Sequence, residues 1–463
     1  MALFACVNMC CVGANCQETP AAVTQSTEQS QSAQAQTSAQ PQPADAGANF
    51  LEPVVARMEM HLKLSDKLVD KIEKGDLLTV LSEREDSYVI QTFAGQKGAV
   101  AKVNVAKLAE SVEIYDALIE AQPKEGRLYT LRAGAHWAIA NDEQALADFN
   151  KAIELGYNAG HAFSSRGLFH AAIGEYDAAI ADYAIAIEKD PKDEVALINR
   201  ASVYMSTGKY ENAVNDYTRC IQLNSTNPIY YQQRAIANKL LEKFEPAIAD
   251  YDKSIELQPG NVTSWMGRGF IKFQMGQHQA AVTDFSKVIE LAPGTAVAFN
   301  NRGYNYQALK QYAQALTDYN EALQLAPKYL LALQNRGWLL ATCEDASIRN
   351  PDLAIETAKA ACELSQFQDL GDLMLLAAAH ASKGQFQEAI GWQEKIIGRA
   401  QGVQLEIAKK VHELYQQNKP IDPKLLEVAE PEVQAEAADN VPEKEEPPKP
   451  EVHKSDAPSA EKT

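Results

Sequence analysis

The sequence lacks the features that mark several classes of protein. It has no run of about 20 consecutive apolar residues, the length that a membrane-spanning helix needs, so no transmembrane segment is predicted. It has no cluster of Lys or Arg and a net charge of −19 at pH 7, which argues against nucleic acid as a partner. It also has no GxGxxG, no phosphate-binding Gly-Lys-Ser/Thr loop, no HExxH and no Gly-flanked nucleophilic Ser.

Histidine and cysteine are too scattered to suggest a reactive centre. The eight His are scattered along the chain, and His136, His161 and His170 fall on the predicted repeat helices. Four cysteines near the beginning, Cys6, Cys10, Cys11 and Cys16, lack the spacing and the His partners of a zinc site. We therefore predict no catalytic residue, no metal and no cofactor, and we expect the protein not to be an enzyme.

The chain does contain a strict period of 34 residues. Seven arginines keep this step: Arg132, Arg166, Arg200, Arg234, Arg268, Arg302 and Arg336. Six aspartates keep the same step: Asp148, Asp182, Asp216, Asp250, Asp284 and Asp318. A period of this length predicts a solenoid in which each unit packs on its neighbours. Extended repeat surfaces commonly bind partners, so the period also favours a binding function.

Each period has the composition of a helical hairpin. Two apolar stripes at helical spacing are separated by a short polar break, and several units end in Pro, which cannot continue a helix. Small residues such as Gly303 and Ala315 stand where the two helices approach closely. An aromatic residue such as Tyr319 follows four positions later and is expected to fill the seam between hairpins.

These positions resemble the tetratricopeptide repeat, whose period is also 34 residues. The resemblance implies a mainly α fold, a right-handed superhelical solenoid of helix-turn-helix repeats. We predict about eight repeats in residues 109–403, followed by a capping helix at 404–420. The seventh repeat carries a short insertion of roughly five residues at CEDASIRNPD.

The arginine and aspartate ladders are interpreted as structural. Arg302 and Asp318 lie at nearly the same height on two antiparallel helices, because each is about as far from the hinge as the other. We predict a zipper in which each Asp lies between the Arg of its own repeat and that of the next, since a guanidinium can serve two carboxylates. The alternative is a row of anion-binding sites.

Residues 49–108 show the alternation of short β-strands. The order of KGDLLTVL, a strand at Tyr88 and GQKGAV resembles the small bacterial Src-homology-3-like barrel. The resemblance implies a small all-β barrel before the repeats, and many such barrels bind cell wall or peptides. Tyr88 and Ala99 stand where that family often has Trp, which favours a packing or spacer role over wall contact. Both interpretations stay open.

The two ends of the chain are not predicted to fold. Residues 1–48 combine a short apolar head with a polar linker, interpreted either as an export signal with a disordered linker or as a disordered head alone. The first interpretation favours a periplasmic or cell-envelope location and the second a cytoplasmic one. Residues 421–463 form an acidic tail rich in Pro, Glu and Lys, which we predict to be disordered.

The strongest functional signal is a row of side-chain amides on the concave face that the resemblance implies. The positions are Asn199, Gln232, Gln233, Asn300, Asn301, Gln334 and Asn335, with the aromatics Phe270, Tyr304 and Trp338 beside them. Amides can donate to and accept from a peptide backbone, and aromatics can hold apolar side chains. Co-chaperone members of the family grip a C-terminal carboxylate with Lys and Arg at such positions, but here the positions are mostly neutral.

Two functions remain from these observations. The first is a non-enzymatic scaffold that binds a protein or peptide segment in the concave groove of its repeats. The second is a cell-envelope protein whose barrel contacts wall polymer while the repeats act as a spacer or assembly module. The amides can also be exposed residues that bind only water, and the first function would then have no binding site.

Overall fold

The computed structural model describes residues 52–64, 67–92, 94–157 and 159–421. The predicted export signal and linker at 1–48, and the tail beyond residue 421, lie outside this range. Within it, no helix is long and apolar enough to cross a membrane. The chain divides into two compact units, one ending at Ser264 and the other beginning at Trp265.

In its described residues, the first unit begins with seven short strands, which confirm the predicted β region. They are β1 Val54–Ala56, β2 Met60–Leu64, β3 Lys67–Ile72, β4 Leu77–Glu83, β5 Ser87–Gln91, β6 Lys97–Ala101 and β7 Val105–Lys107. Five of them form an antiparallel sheet in the order β6-β5-β4-β1-β7, and β2 pairs with β3 in a hairpin. Val54, Leu78 and Ile90 are buried in the core of this region.

The β region packs directly on the helices that follow it. Gly75 takes a left-handed φ of 87°, and its carbonyl accepts a hydrogen bond of 3.2 Å from the hydroxyl of the fully buried Tyr115. Next to it, Asp76 and Arg127 form an ion pair of 2.9 Å. These contacts fix the turn between β3 and β4 against the first helices.

Helices follow the strands in the first unit, most of them paired as hairpins. The helices are α1 Val112–Ala121, α2 Gly126–Ala138, α3 Asp142–Glu154, α4 Ala159–Ala172, α5 Tyr176–Lys189, α6 Glu194–Ser206, α7 Tyr210–Leu223, α8 Pro228–Leu240 and α9 Phe244–Leu257. From α2 onward, every second helix carries the ladder Arg and the next one carries the ladder Asp. Asn227 and Pro228 show how such a helix begins, since the Asn227 side chain accepts from the Ile229 N–H and Pro occupies the first helical position.

The same pattern continues in the second unit as far as Arg336, and the helices after it lack the ladder residues. Its helices are α10 Val262–Gln274, which begins just before the boundary, then α11 His278–Leu291, α12 Ala296–Ala308, α13 Tyr312–Leu325, α14 Leu330–Thr342, α15 Pro351–Leu364, α16 Leu370–Ser382, α17 Phe386–Ile397 and α18 Gly402–Gln416. In α18, Val411 and Tyr415 are completely buried against α16 and α17. This is the packing expected of a helix that covers the last hairpin.

The seam between paired helices has the predicted composition. A Cβ on Gly303 would lie 2.9 Å from the Tyr319 ring, so only glycine lets α12 approach α13 this closely. The corresponding aromatics Tyr183, Tyr217, Tyr251 and Phe285 are buried like Tyr319, and so are the alanines four positions before them. Tyr319 also clusters with Leu339 of the next hairpin, so the predicted aromatic seam between hairpins is confirmed.

We expect Tyr183→Phe to stabilise the protein. The Tyr183 hydroxyl is buried without a hydrogen-bond partner among the described residues, and Phe already occupies the equivalent positions 149 and 285. An unsatisfied buried polar group costs about 1–3 kcal/mol, so its removal should raise the midpoint of urea denaturation. Tyr319→Phe is the matched control. The Tyr319 hydroxyl donates to Gln307 Oε1 at 3.0 Å, so its removal should lower the midpoint of urea denaturation. Equal losses in both variants would contradict the expectation.

Candidate functional site

The ladder consists of two-point ion pairs within each hairpin. Arg302 donates from Nε to Asp318 Oδ2 at 2.8 Å and from Nη2 to Asp318 Oδ1 at 2.7 Å. The same geometry joins Arg132 to Asp148, Arg166 to Asp182, Arg200 to Asp216, Arg234 to Asp250, and Arg268 to Asp284. All six aspartates are buried. Each carboxylate thus occupies the edge of the guanidinium that an external anion would use.

The hydrogen bonds correct one detail of the predicted zipper. The remaining Nη1 of the arginine does not reach the preceding ladder Asp but a residue two positions after it. Arg166 donates to Asn150 at 2.6 Å, and Arg302 donates to Ser286 at 3.2 Å. Residues two apart on a helix point in different directions, so the carboxylate of Asp148 faces its own Arg132 and Asn150 faces the next repeat. The aspartates are therefore not shared between repeats.

A second donor to the aspartate stands four residues after the arginine. Asn238 approaches Asp250 Oδ2 at 3.3 Å, and Lys272 approaches Asp284 Oδ2 at 2.8 Å. The sequence analysis missed these donors, although their constant offset of one helical turn could have revealed them. Burial raises the pKa of Asp318 while Arg302 opposes that rise. Bonding to Asp250 raises the pKa of Arg234.

Arg336, the last arginine of the ladder, has no such carboxylate in the part of the chain that the structure describes. Its Nη2 donates to the Thr357 hydroxyl at 2.9 Å, its Nη1 donates to Asn320 at 3.1 Å, and its Nε is buried without a partner. Thr357 stands 21 residues after Arg336, which is the usual 16 plus the five of the insertion. Burial lowers the pKa of Arg336.

The predicted amide positions of the first unit lie on two helices. Asn199 on α6 is buried, while Gln232 and Gln233 on α8 are half-buried. Gln232 Oε1 accepts a hydrogen bond of 2.7 Å from Asn261. One turn before these amides, Val195 and Ile229 are exposed by 38% and 53%. This face of the first unit therefore offers apolar side chains more than free amides.

In the second unit the amides bond to one another. Asn335 Nδ2 donates to Asn300 Oδ1 at 2.9 Å, and Asn300 Nδ2 donates to Asn301 Oδ1 at 3.3 Å, which links α14 to α12. Gln334 Nε2 donates to Asp372 on α16 at 2.7 Å. The predicted residues are thus brought together, but Asn300 is 97% buried and acts as the centre of the network rather than as a contact surface.

Apolar and aromatic side chains flank this network. Val297, Asn301 and Tyr304 follow at steps of four and three and share one face of α12, and Leu331, Asn335 and Trp338 do the same on α14. Leu331 is 53% exposed and Tyr304 37%. We name the following residues the amide face of the second unit: Phe270, Val297, Asn300, Asn301, Tyr304, Leu331, Gln334, Asn335 and Trp338. None of them is charged.

The aromatics of the amide face differ in how they are held. Tyr304 meets the Phe273 ring edge to face, with 5.2 Å between centroids, and Phe270 lies 5.9 Å from Phe273. Trp338 instead packs, half-buried, against the cores formed by α14 to α18. Phe270 and Tyr304 therefore have surface to offer a partner, while much of Trp338 is engaged inside the protein.

Comparisons with known families agree with this geometry. Models described as tetratricopeptide repeat match residues 135–194, 195–227, 229–261 and 261–328. These hairpins are tetratricopeptide repeats. The tetratricopeptide repeat is in general a non-catalytic fold of protein interaction. The described residues hold no group of three or more His, Cys, Asp or Glu that could bind a metal ion.

Three solved structures are similar to parts of the chain at low identity. MamA is 22% identical over 36% of this chain and 92% of its own, with a TM-score of 0.36. YrrB, described as a tetratricopeptide-repeat protein with an unusual peptide-binding site, is 24% identical over 40% of this chain and 95% of its own, with a TM-score of 0.37. The C-terminal part of a repeat protein from Cytophaga hutchinsonii is 19% identical over 49% and 94%, with a TM-score of 0.45. No curated protein matches the chain significantly.

Proposed function

We propose that this tetratricopeptide protein binds an extended, uncharged segment of a partner protein on the amide face of its second unit, without catalysing a reaction. The observation that carries the proposal is a hydrogen-bonded amide network flanked by exposed apolar side chains, with no charge among them. In a protein with a net charge of −19, a neutral face of this kind selects partners by hydrogen bonding and apolar contact.

The network leaves capacity for a partner backbone. An amide has two N–H donors and two acceptor lone pairs. Asn335 uses its nitrogen on Asn300, and Asn301 uses its oxygen as an acceptor, so Asn335 Oδ1 and Asn301 Nδ2 remain to accept from and donate to a peptide group. Because the network already fixes these side chains, binding would lose little of their conformational entropy.

The apolar residues supply the rest of the affinity. Val297 and Leu331 are exposed by 42% and 53% and stand one turn before the amides on their helices. Tyr304 stands one turn after them on α12. Tyr is a residue type enriched at protein-binding hot spots, and the exposed area of Val297 and Leu331 adds apolar surface that a partner can bury. An extended segment with alternating apolar side chains fits this arrangement, since its backbone can face the amides while its side chains reach the flanking residues.

The β region is the less favoured alternative site. Tyr88, the aromatic that could stack on a wall sugar, packs against the β core and carries the Lys102 ammonium 5.2 Å from its ring centroid. These contacts favour a packing role, and the fixed Gly75 turn fits a region that covers the first hairpins. Wall contact through the β region therefore has no supporting geometry of its own.

The proposal is tested by selecting peptides from an immobilised random-sequence library with the full chain. We expect the selected peptides to be poor in charged residues, and their affinity to change by less than about twofold between low and high salt. Tyr304→Ala should weaken a selected peptide by about tenfold or more, as expected for an aromatic contact. Leu325→Ala is the control, because Leu325 on α13 is 44% exposed against 37% for Tyr304 and lies outside the amide face, and it should leave affinity unchanged.

Two outcomes would contradict the proposal. Selected peptides rich in one sign of charge and released by high salt would place binding on a charged surface elsewhere. Equal losses from Tyr304→Ala and Leu325→Ala would show that the amide face takes no special part.

A further inference from the structure

A second surface lies at the last hairpins, around an aromatic pair. The Phe367 ring, in the connection between α15 and α16, stacks on the Trp392 ring of α17 with 5.9 Å between centroids and an angle of 15° between planes. Phe367 is 37% exposed. With the neighbouring cations Lys395 and Arg399, these two residues form what we name the aromatic platform.

The platform is held in a strained conformation. Gln366 and Phe367 both take left-handed φ angles, 51° and 57°, which bulky residues adopt rarely. Arg399 fixes the strained segment, because its guanidinium donates to the carbonyls of Phe367 and Gln368. Strained backbone is found most often at functional sites. Here it holds a large aromatic ring at the surface, and the hydrogen bonds of Arg399 stabilise that position.

The cations of the platform lack carboxylate partners. Lys395 lies with its ammonium 3.8 Å from the centroid of the Trp392 ring, and both Lys395 and Arg399 are exposed. Neither forms an ion pair with any residue that the structure describes, whereas other lysines of the second unit, such as Lys272 and Lys383, do. The platform thus combines apolar rings with positive charge, whereas the amide face has no charged residue.

The chain itself supplies a segment of complementary composition. Residues 425–443, LLEVAEPEVQAEAADNVPE, contain no Lys or Arg. They contain these carboxylates: Glu427, Glu430, Glu432, Glu436, Asp439 and Glu443. Leu425 and Leu426 add two large apolar side chains at the start of the segment.

The end of the described chain lies beside the platform. Ile421 is buried in the cluster formed with Val411 and Tyr415, and Trp392 packs against the same cluster. Residue 425 is within about 14 Å of Ile421 even along an extended chain, at ~3.3–3.6 Å per residue. The segment therefore begins within reach of both aromatics, so docking would require closure of only a short loop.

We propose that residues 425–443 dock on the aromatic platform of their own chain. Leu425 and Leu426 contact Phe367 and Trp392, and the carboxylates that follow pair with Lys395 and Arg399. The docked segment covers the exposed Phe367 ring beside Trp392 and neutralises the two cations. This contact is independent of the amide face, so the two proposals can fail separately.

The test is carbodiimide coupling of the full chain, which joins a lysine to a carboxylate with no spacer, followed by mass spectrometry of the linked peptides. We expect Lys395 to couple to carboxylates of residues 425–443, and Phe367→Ala to reduce this coupling by about fivefold or more. Lys419 is the internal control, because it stands two residues before Ile421 and reports the nearness of the segment without the platform. Its coupling should not change.

A second variant distinguishes loss of docking from misfolding of the platform. Leu425→Ser with Leu426→Ser alters only the segment, and it should reduce the Lys395 coupling while the platform stays intact. Mixing unlabelled and ¹⁵N-labelled chains identifies the source of each linked peptide. Coupling of Lys395 that neither variant reduces would overturn the proposal, and so would its absence. Linkage found mainly between differently labelled chains would assign the platform to a second copy and equally overturn docking within one chain.

Discussion

Asp250→Ala is expected to lower the free energy of unfolding by about 3 kcal/mol, because it leaves a guanidinium partly buried without its carboxylate. Asp250 accepts from Arg234 at 2.8 and 2.6 Å and is 94% buried. The estimate is at the low end for a buried pair because the Arg234 side chain is 21% exposed and retains some hydration. Urea denaturation followed by circular dichroism measures the loss.

The partner that should rescue this variant is Arg234. Sequence reasoning placed Asp250 between two arginines, but its carboxylate bonds to the arginine of its own hairpin. Arg234→Met in the Asp250→Ala background removes the unpaired charge and fills its space, so it should recover part of the lost stability. Asp177→Ala is the matched control, since Asp177 pairs with Lys209 in solvent and its loss should leave the midpoint unchanged. If Asp250→Ala left the free energy of unfolding unchanged, the structural role of the ladder would be ruled out.

The hairpins could be predicted because they repeat. The 34-residue step fixed which residues meet within a hairpin, so the pairing of Arg302 with Asp318 followed from their distances to the hinge. Contacts between hairpins could not be predicted in this way, because they depend on the rotation of one hairpin on the next. That rotation is why Arg302 meets Ser286 instead of the preceding Asp284.

The amide row shows the same limit at the candidate site. Sequence spacing placed Asn300, Asn301 and Asn335 on one face, and the structure brings them together. Spacing alone could not show that Asn300 is buried and hydrogen-bonded to the other two, since that depends on how closely α12 and α14 approach. Nor could it show that Trp338 packs on the last helices, because those helices do not keep the ladder residues of the repeats.

Thr357→Asp is expected to stabilise the protein, which is rare for a new charge at a position that is only 1% exposed. The change restores the carboxylate that the seventh hairpin lacks. Arg336 Nη2 already bonds to the Thr357 hydroxyl at 2.9 Å, and its Nε is buried without a partner. A carboxylate at this place can accept from both nitrogens, as Asp318 does from Arg302. We expect a gain of about 1–3 kcal/mol, the range for a hydrogen bond to a charged group and for relief of an unsatisfied one.

The sign of this effect should depend on Arg336. In an Arg336→Met background the same Thr357→Asp change buries a carboxylate without a cation, and it should cost about 3–5 kcal/mol. The two backgrounds therefore form a double-mutant cycle, measured by urea denaturation. Thr357→Asp should stabilise the protein that keeps Arg336 and destabilise the Arg336→Met variant. Thr357→Val is the companion control, because it keeps the shape of Thr357 and removes the hydroxyl, and it should destabilise only while Arg336 is present. If Thr357→Asp destabilised both backgrounds equally, the insertion would have moved α15 too far for the missing ladder pair to form.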